Sequence, residues 1–532
     1  MQQQAETHLG QTFGRIRAYV WPIYGHELKK LLPMFVMLFC VAFNYTILRN
    51  LKDALVITDQ YSGAEVLPFI KVWVILPCAV LATIGFTYLN NHFSRRKVFY
   101  IIISCFIAYF SAFMLFIYPV HKSLYAHSAA DFLQSLLPAG SKGFVSMIRI
   151  WPLTMFYVVC EMWSTMVFTV LFWGFANEIT RMSEATRFYS TLNIGSNSAS
   201  IIAGQVAVLV SMNTGIDLFL GTTAWEQTMA KQLFLVICFS VAILLSFHWM
   251  TKHVLNDPKY MPEEARRTKK DKKLNFRESI RYISQSKYLL CIAVIVISYH
   301  LVIHMVEVLW KDRLRELYPD PADYNIYTNN LTSIMGIIST AASLVMLGII
   351  SKFGWTKTAI ITPIVLLLTT TAFFGCLLGD TALTGMIALL GTTPLALAVF
   401  LGSLQNCFTK AAKYSLFDTT KEMAFIPLQP EHKLKGKAAI DGIGSRLGKS
   451  GGSVVHQGLL FMLGSLGTST PYVAAILLAV IVVWIVAVRS LGKEFQELTH
   501  GAELEEAQPK QNIATSSTST RTETGVAVEI PA

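Results

Sequence analysis

Long apolar segments follow one another along almost the whole chain of 532 residues. A helix of about 20 apolar residues is long enough to span the hydrocarbon core of a bilayer. The pattern therefore predicts an all-α polytopic membrane protein with about twelve transmembrane helices. The predicted spans are 31–50, 66–90, 98–119, 149–176, 190–211, 231–250, 288–310, 330–350, 357–378, 383–409, 438–464 and 471–490.

The eleventh predicted span differs from the others because its first half is polar and rich in glycine. Irregular backbone at membrane depth is tolerated only where it lines a cavity. We therefore expect 438–464 to line a cavity or to be broken there.

The composition agrees with a membrane protein. Hydrophobic residues make up 53% of the chain and charged residues only 14%, whereas a soluble domain usually has about 25% charged residues. All eight cysteines fall in apolar segments and none forms a CxxC pair. Structural disulfides and zinc sites are therefore not expected.

The Lys and Arg residues concentrate in alternate loops, and the net charge is +11. By the positive-inside rule this distribution places both termini and the central loop in the cytoplasm. The basic balance is therefore attributed to membrane topology and not to nucleic-acid binding. The basic segments are 29–30, 95–97, 181–187, 251–287, 352–357 and 421–437, and the segments poor in Lys and Arg are 119–148, 211–230, 379–383 and 465–470.

The two halves of the chain resemble each other. The first span ends in Leu51-Lys52-Asp53 and the seventh in Trp310-Lys311-Asp312. Two six-span halves joined by a basic loop are the layout of the major facilitator fold. The loop either binds lipid headgroups or only fixes the topology. The predicted divisions are a cytoplasmic segment 1–30, a first bundle 31–250, a basic linker 251–287, a second bundle 288–490 and a disordered tail 491–532.

Charged residues lie at the ends of several apolar segments or inside them. An ionised side chain in the hydrocarbon core costs about 2.5–3.5 kcal/mol or more, so it is kept where it faces a cavity and has a role. Cations near span ends also have simpler explanations, such as snorkelling to the interface or fixing topology. A cluster of buried cations nevertheless suggests an anionic cargo. The cations are Arg49, Lys52, Lys311, Lys410, Lys413 and Lys449, and the deeper carboxylates are Glu161 and Glu307.

The motif Gly448-Lys449-Ser450 is similar to the end of a phosphate-binding loop. The full pattern also needs a glycine at the place of Ile443 and a preceding strand, so an ATPase site is not expected. The local chemistry still suits phosphate, because the glycines permit close backbone approach and Arg446 and Lys449 supply positive charge.

The seventh span carries a polar stripe. His300, His304, Glu307 and Lys311 follow one another at steps of four, three and four residues, which places them on one helical face. This stripe is interpreted as the wall of a water-lined cavity. A metal site and proton coupling through these groups are the alternatives.

Six segments carry a resemblance to a known family. Through them the chain, over roughly residues 20–490, resembles the nucleotide transporter family, which comprises the ATP:ADP antiporters of obligate intracellular bacteria and of plastids. Without a plastid leader, it is similar to the bacterial branch. The segments are His26-Glu27-Leu28-Lys29-Lys30, Asn44 to Asp53, Leu171 to Thr180, Val306 to Lys311, Phe417 to Pro427, and Gly436 to Asp441 running on to Gly448 to Gly452.

The resemblance implies that nucleotides are moved across the membrane without hydrolysis. The charged transport positions of the family match Lys52, Glu161, Glu307 and Lys449. Two lysines and two glutamates balance, so we expect the empty cavity to hold them as pairs. The hypothesis is that a triphosphate takes the lysines from their glutamates. Lys52 would act from the first half and Lys449 from the second.

Further residues are expected to support this site. Arg446, Lys311 and Arg149 are predicted as additional phosphate contacts, and Tyr157 and Trp163 as candidates for stacking on the base.

The sequence thus predicts a monomeric, secondary active nucleotide transporter of the bacterial inner membrane, not an enzyme. It would exchange ATP or another nucleoside triphosphate for ADP or another nucleotide, and it would need no cofactor, metal or nucleic acid. One alternative is a proton-coupled importer of nucleoside triphosphates with broad base specificity. A less favoured one is a carrier of other organic phosphates or anions.

Overall fold

The computed structural model describes residues 23–212, 223–255, 284, 286–346, 349–379, 391–428, 436–437, 439–440 and 444–507. Fourteen of its helices are numbered in chain order. In the first half they are α1 Leu28–Ile57, α2 Val66–His92, α3 Arg95–Leu124, α4 His127–Leu136, α5 Lys142–Arg149, α6 Trp151–Ile179, α7 Met182–Ser211 and α8 Ala224–His253. In the second half they are α9 Lys287–Leu317, α10 Pro321–Met346, α11 Ile349–Leu378, α12 Pro394–Ala424, α13 Ser445–Leu463 and α14 Leu466–Ala507.

Ten helices of the described chain are long and apolar enough to cross a membrane. Two more, α10 and α13, take the places of the eighth and eleventh predicted spans. The predicted class, an all-helical polytopic membrane protein, is confirmed, whereas the count of twelve spans stays a prediction. The linker residues 256–283 and the tail residues 508–532 lie outside the described residues.

Apolar side chains on the outside of the bundle explain why these helices do not form a soluble fold. On α2, Leu81 and Ile84 are 66% and 60% exposed, and Leu245 on α8 is 65% exposed. An α-helix satisfies its backbone hydrogen bonds internally, so lipid can cover such a surface without leaving polar groups unpaired.

The helices form two halves, α1–α8 and α9–α14. In the first half α1 packs against α6, α7 and α8, and in the second half α9 packs against α12, α13 and α14. The halves meet chiefly where α7 and α1 pack against α10 and where α2 packs against α13. We call the side where Leu28 begins α1 the N-terminal side, and the side where Ile57 ends it the far side.

The two halves are bonded to each other on the far side. Hydrogen bonds and ion pairs between described residues of the two halves lie in the middle or far part of their helices. Gln457 of α13, for example, donates to the carbonyl of Pro68 and accepts from the Trp73 indole. The described contacts thus close the far side.

Several charged residues predicted near the ends of spans lie inside helices. The first span was predicted to end at 50, but α1 continues to Ile57, and the tenth was predicted as 383–409, but α12 runs from Pro394 to Ala424. Arg49, Lys52 and Lys410 therefore lie within helices. The helices thus extend past the predicted span ends, and the membrane boundaries themselves stay predictions.

Candidate substrate site

Lys52 on α1 is the centre of a buried cluster in the first half. Its Nζ lies 2.9 Å from Glu161 Oε1 of α6 and 3.0 Å from Asp53 Oδ1. The same ammonium group lies 3.6 Å from the centre of the Tyr157 ring, a favourable cation–π contact. The Lys52 side chain is 4% exposed, but that of Glu161 is 33% exposed. The lysine is therefore compensated and covered, while its glutamate partner still faces an opening.

Glu307 on α9 is the centre of a corresponding cluster in the second half. Its Oε1 lies 2.7 Å from Lys311 Nζ, one turn later on the same helix. Its Oε2 lies 3.3 Å from His304 Nδ1 and 3.6 Å from Lys71 Nζ. Lys71 belongs to α2, so the carboxylate of the second half is also held by a cation of the first half.

One ion pair joins the two clusters. Lys311 Nζ lies 2.8 Å from Asp53 Oδ2, and both side chains are almost completely buried. The result is one continuous line of alternating charges across the boundary between the halves, which we call the charge chain. Its members are Glu161, Lys52, Asp53, Lys311, Glu307 and Lys71.

The Lys-Asp pair occurs once in each half, as Lys52-Asp53 and as Lys311-Asp312, and it supplies three members of the charge chain. The two copies are nevertheless not equivalent. Asp53 reaches across to the second half, whereas Asp312 lies 3.6 Å from its neighbour Arg313. The sequence echo between the halves therefore does not predict which aspartate joins them.

Irregular helical turns accompany the charged residues. Lys71 lies in a π-helical segment, Ile70–Ile75. A second such segment, Trp163–Trp173, begins two residues after Glu161, and a third, Lys413–Phe417, begins three residues after Lys410. Each extra residue in a turn rotates the following part of the helix, and such turns occur frequently at functional sites.

The glycine-rich part of α13 packs against α9. A Cβ atom added at Gly448 would lie 2.7 Å from His300 Cβ, whereas one added at Gly451 would meet no atom within 4 Å. Gly448 is therefore required for helix packing at this point. The next residue, Lys449, is exposed and lies within electrostatic range of His300 and His304.

The structure brings together four of the seven predicted site residues, namely Lys52, Glu161, Lys311 and Glu307. Lys449 lies on α13, within electrostatic range of His300 and His304. The backbone of Arg446 is on the same helix, and its side chain lies outside the described part of the chain.

Arg149 lies apart from the charge chain. It ends α5 on the far side, where its guanidinium lies 2.5 Å from Asp131 and 5.4 Å from the centre of the Tyr61 ring. Tyr157 and Trp163, the two residues predicted to stack on the nucleotide base, have other partners in this conformation. Trp163 is fully buried and donates to the carbonyl of Val41, and Tyr157 covers Lys52.

Sequence reasoning missed Lys71 and left Asp53 out of the predicted site. Lys71 is a lone lysine in the second predicted span. The criterion that selected the other cations, a charge inside an apolar segment, would have found it. The role of Asp53 could not be read in this way, because it depends on how the two halves dock.

Comparisons with known proteins agree with this architecture. The family model described as TLC ATP/ADP transporter matches residues 6–495. The chain is 42% identical over 510 residues to ADP,ATP carrier protein 1 of Chlamydia trachomatis serovar D, and the aligned region covers 96% of each protein. It is 40% identical over 486 residues to the chloroplastic ADP,ATP carrier protein 1 of Arabidopsis thaliana, and the aligned region covers 91% of this chain and 77% of the plant protein. The resemblance seen in the sequence motifs is confirmed.

Solved structures show the same fold. The nucleoside transporter NupG superposes with a TM-score of 0.51 at 12% identity and covers 88% of this chain and 100% of that one. A D-xylose-proton symporter superposes with a TM-score of 0.52 at 13% identity and covers 86% of this chain and 97% of that one. At this identity the likeness concerns the fold alone. The predicted major-facilitator fold is confirmed.

Proposed function

Because the chain belongs to the TLC ATP/ADP transporter family, we propose that it moves ATP across the membrane in exchange for ADP or another nucleotide, without hydrolysis. The single observation that supports this mechanism best is the charge chain between the halves, centred on the 2.8 Å contact of Asp53 with Lys311. A carrier of this fold works by rocking its halves about a central site. A bond at that boundary is therefore placed to respond to an anion.

Breaking the charge chain is unfavourable in an empty carrier. Opening the far side separates Asp53 from Lys311 and Lys71 from Glu307. A buried charge that loses its partner is strongly destabilising. A bound nucleotide offsets this cost, because its phosphates supply new negative partners for the lysines. The loaded carrier then reorients readily and the empty one slowly, and this difference produces exchange.

Secondary active exchange is tested with the purified protein in proteoliposomes. We expect labelled ATP to enter vesicles loaded with ADP and not empty vesicles, and we expect no ATP hydrolysis. Uptake into empty vesicles at the same rate would contradict exchange. Hydrolysis in detergent would indicate an enzyme instead. Competition by unlabelled organic phosphates without a base would indicate a general anion carrier.

Lys52, Glu161, Glu307, Lys311 and Lys449 are proposed as the residues that respond to the phosphates, with Arg446 and Arg149 as further contacts. The test is uptake of labelled ATP by cells that express Lys52→Ala or Lys449→Ala. Both variants should lose most of the uptake. Near-normal uptake by both would contradict the assignment.

Proton coupling is a second candidate, and the contact between His304 and Glu307 favours it. Protonation of this pair would change the charge beside Lys71 and Lys311. The two functions differ in what drives uptake. Exchange depends on internal ADP and persists when the proton gradient is dissipated, whereas symport stops. The variant His304→Gln gives a second test. If this histidine carries the proton, uptake by the variant no longer depends on the proton gradient.

We place the protein in the bacterial inner membrane as a monomer, with the N-terminal side in the cytoplasm. The basic loops support this orientation. Alkaline phosphatase fused after residue 532 should be inactive and green fluorescent protein at the same place fluorescent. The reverse result would invert the topology. Light scattering of the purified protein tests the monomeric state.

A further inference from the structure

We infer that Arg49 and Lys410, one cation from each half, form the first phosphate-binding site of the carrier. This inference rests on the proposed nucleotide transport and names the residues that receive the phosphates before the charge chain opens. It follows from a difference among the buried cations. The cations of the charge chain already have carboxylate partners, whereas Arg49 and Lys410 form no ion pair with any carboxylate that the structure describes.

Arg49 lies on the same face of α1 as Lys52, one turn closer to the N-terminal side. It is partly buried, and within the described residues it makes no ion pair or hydrogen bond. The carboxylates within electrostatic range are Asp53 and Glu307. Both are already bound by lysines. Arg49 is therefore a cation without a direct partner in the described part of the chain.

Lys410 has the same property in the second half. It lies inside α12, is partly buried, and pairs with no described carboxylate. Its neighbour Lys413 is compensated by Asp418 at 2.9 Å. Lys410 is close enough to Arg49 for the two charges to repel each other, and Glu307 attracts it. The pair thus lies on either side of the boundary between the halves.

The local charge balance favours an anion at this place. Arg49, Lys410 and the three lysines of the charge chain face three carboxylates, which leaves two positive charges in excess. Uncompensated charge away from bulk water is costly, so its presence in a membrane helix indicates a ligand that neutralises it. The planar guanidinium of Arg49 also suits bidentate contacts to phosphate.

The position of the pair links binding to movement. Because α1 begins on the N-terminal side, Arg49 lies on that side of Lys52, and a ligand that enters from the N-terminal side meets Arg49 before Lys52. A phosphate held by both cations draws α1 and α12 together and turns their repulsion into attraction. Binding then promotes closure of the N-terminal side before the lysines of the charge chain exchange partners.

The test measures thermal unfolding of the purified full-length protein in detergent, with ATP and with inorganic triphosphate as separate probes. The variants are Arg49→Gln and Lys410→Gln. Lys142→Gln is the control, because it removes one exposed charge on α5. Arg49→Lys and Lys410→Arg keep the charge. We expect each Gln variant to bind ATP about 10- to 100-fold more weakly, the loss typical of one charged hydrogen bond. The charge-conserving variants should retain most of the affinity.

The unliganded protein supplies a second readout. If the two cations repel each other in the empty site, removing one leaves the melting temperature unchanged or raises it. A structural role would lower it instead, and a clear drop in both Gln variants overturns the inference. ATP binding by both Gln variants equal to that of Lys142→Gln also overturns it.

The two probes separate this inference from the proposed function. A wild-type protein that responds to triphosphate but not to ATP, with the response lost in the Gln variants, supports the cation pair and contradicts nucleotide transport. A wild-type protein that responds to neither probe overturns both. Normal ATP binding by the wild type and by both Gln variants overturns the cation pair alone.

Discussion

Asp53 Oδ2 lies 2.8 Å from Lys311 Nζ, and this contact ties the first half of the chain to the second. The two residues come from the sequence echo Lys52-Asp53 and Lys311-Asp312. Asp53 bridges the halves, whereas Asp312 contacts its neighbour Arg313. Asp312 is therefore the control for the role of this bond, since it occupies the corresponding position in the second half but contacts Arg313 of its own half.

Replacement of Asp53 should weaken closure of the far side. In Asp53→Asn, Lys52 keeps Glu161 and Lys311 keeps Glu307, so the fold is retained. The Asp53–Lys311 ion pair is lost, while the Lys71–Glu307 pair between the halves remains. We expect exchange to fall about tenfold, which corresponds to about 1.4 kcal/mol. The measurement is counterflow of labelled ATP in proteoliposomes, with Asp312→Asn as the matched control.

The direction of the conformational change is measured separately. Gln457→Cys places a thiol at the closed boundary, in a protein whose eight native cysteines are replaced by alanine. A membrane-impermeant maleimide applied from the far side should label it faster in Asp53→Asn. Equal labelling in Asp53→Asn, Asp312→Asn and the parent would show that this ion pair does not hold the far side closed.

Lys71 is the next residue whose role can be tested, because it joins α2 to Glu307 of the other half. Lys71→Gln removes this bond but leaves Glu307 with Lys311 and His304. We expect normal expression and an ATP exchange rate lower by about tenfold. This corresponds to about 1.4 kcal/mol, between the loss of an exposed ion pair and that of a buried one. The exposed Lys122 on α3 provides the control Lys122→Gln. An exchange rate in Lys71→Gln equal to that control would exclude Lys71 from the mechanism.

Close contact between α7 and α10 should also be needed for closure of the far side. A Cβ atom at Gly204 would lie 2.6 Å from the carbonyl oxygen of Asn329 and would also meet the hydroxyl of Ser333. Gly204→Val should therefore hold the halves apart and increase labelling of Gln457→Cys from the far side. Gly174→Val is the matched control, since a Cβ there meets no atom within 4 Å. Unchanged labelling in Gly204→Val would mean that the helices separate without cost.

The sequence predicted the fold and named four of the six members of the charge chain, and the reasons differ between residues. The apolar periodicity and the echo between Lys52-Asp53 and Lys311-Asp312 indicated two similar membrane bundles. Lys52, Lys449, Glu161 and Glu307 were expected to form pairs without a stated partner for each, and Lys52 pairs with Glu161. Each of these inferences depends on the local residue pattern or on charge balance within apolar segments. Both features can be read from the sequence without knowledge of the fold.

The partners across the boundary between halves could not be predicted. Lys449 was expected to balance a glutamate, but Glu307 is bound by Lys311 and Lys71. Which lysine reaches it depends on the rotation of each helix. The π-helical turn at Ile70–Ile75 alters that rotation in α2, and hydrophobic periodicity does not reveal such a turn.

The glycines of α13 allow a last distinction, between a phosphate-binding loop and a packing surface. A Cβ atom at Gly448 would lie 2.9 Å from the carbonyl oxygen of Ile297 and 2.7 Å from His300 Cβ, so α13 must move away from α9 to accept it. Overpacking of this kind costs about 1–3 kcal/mol. Gly448→Ala should lower the melting temperature and the exchange rate together. Gly451→Ala should change neither, because the space around it is open. Both are measured on the purified protein with and without ATP. If Gly451→Ala instead weakened ATP binding at an unchanged melting temperature, the backbone at Gly451 would contact phosphate, and a helix-packing role would not be sufficient.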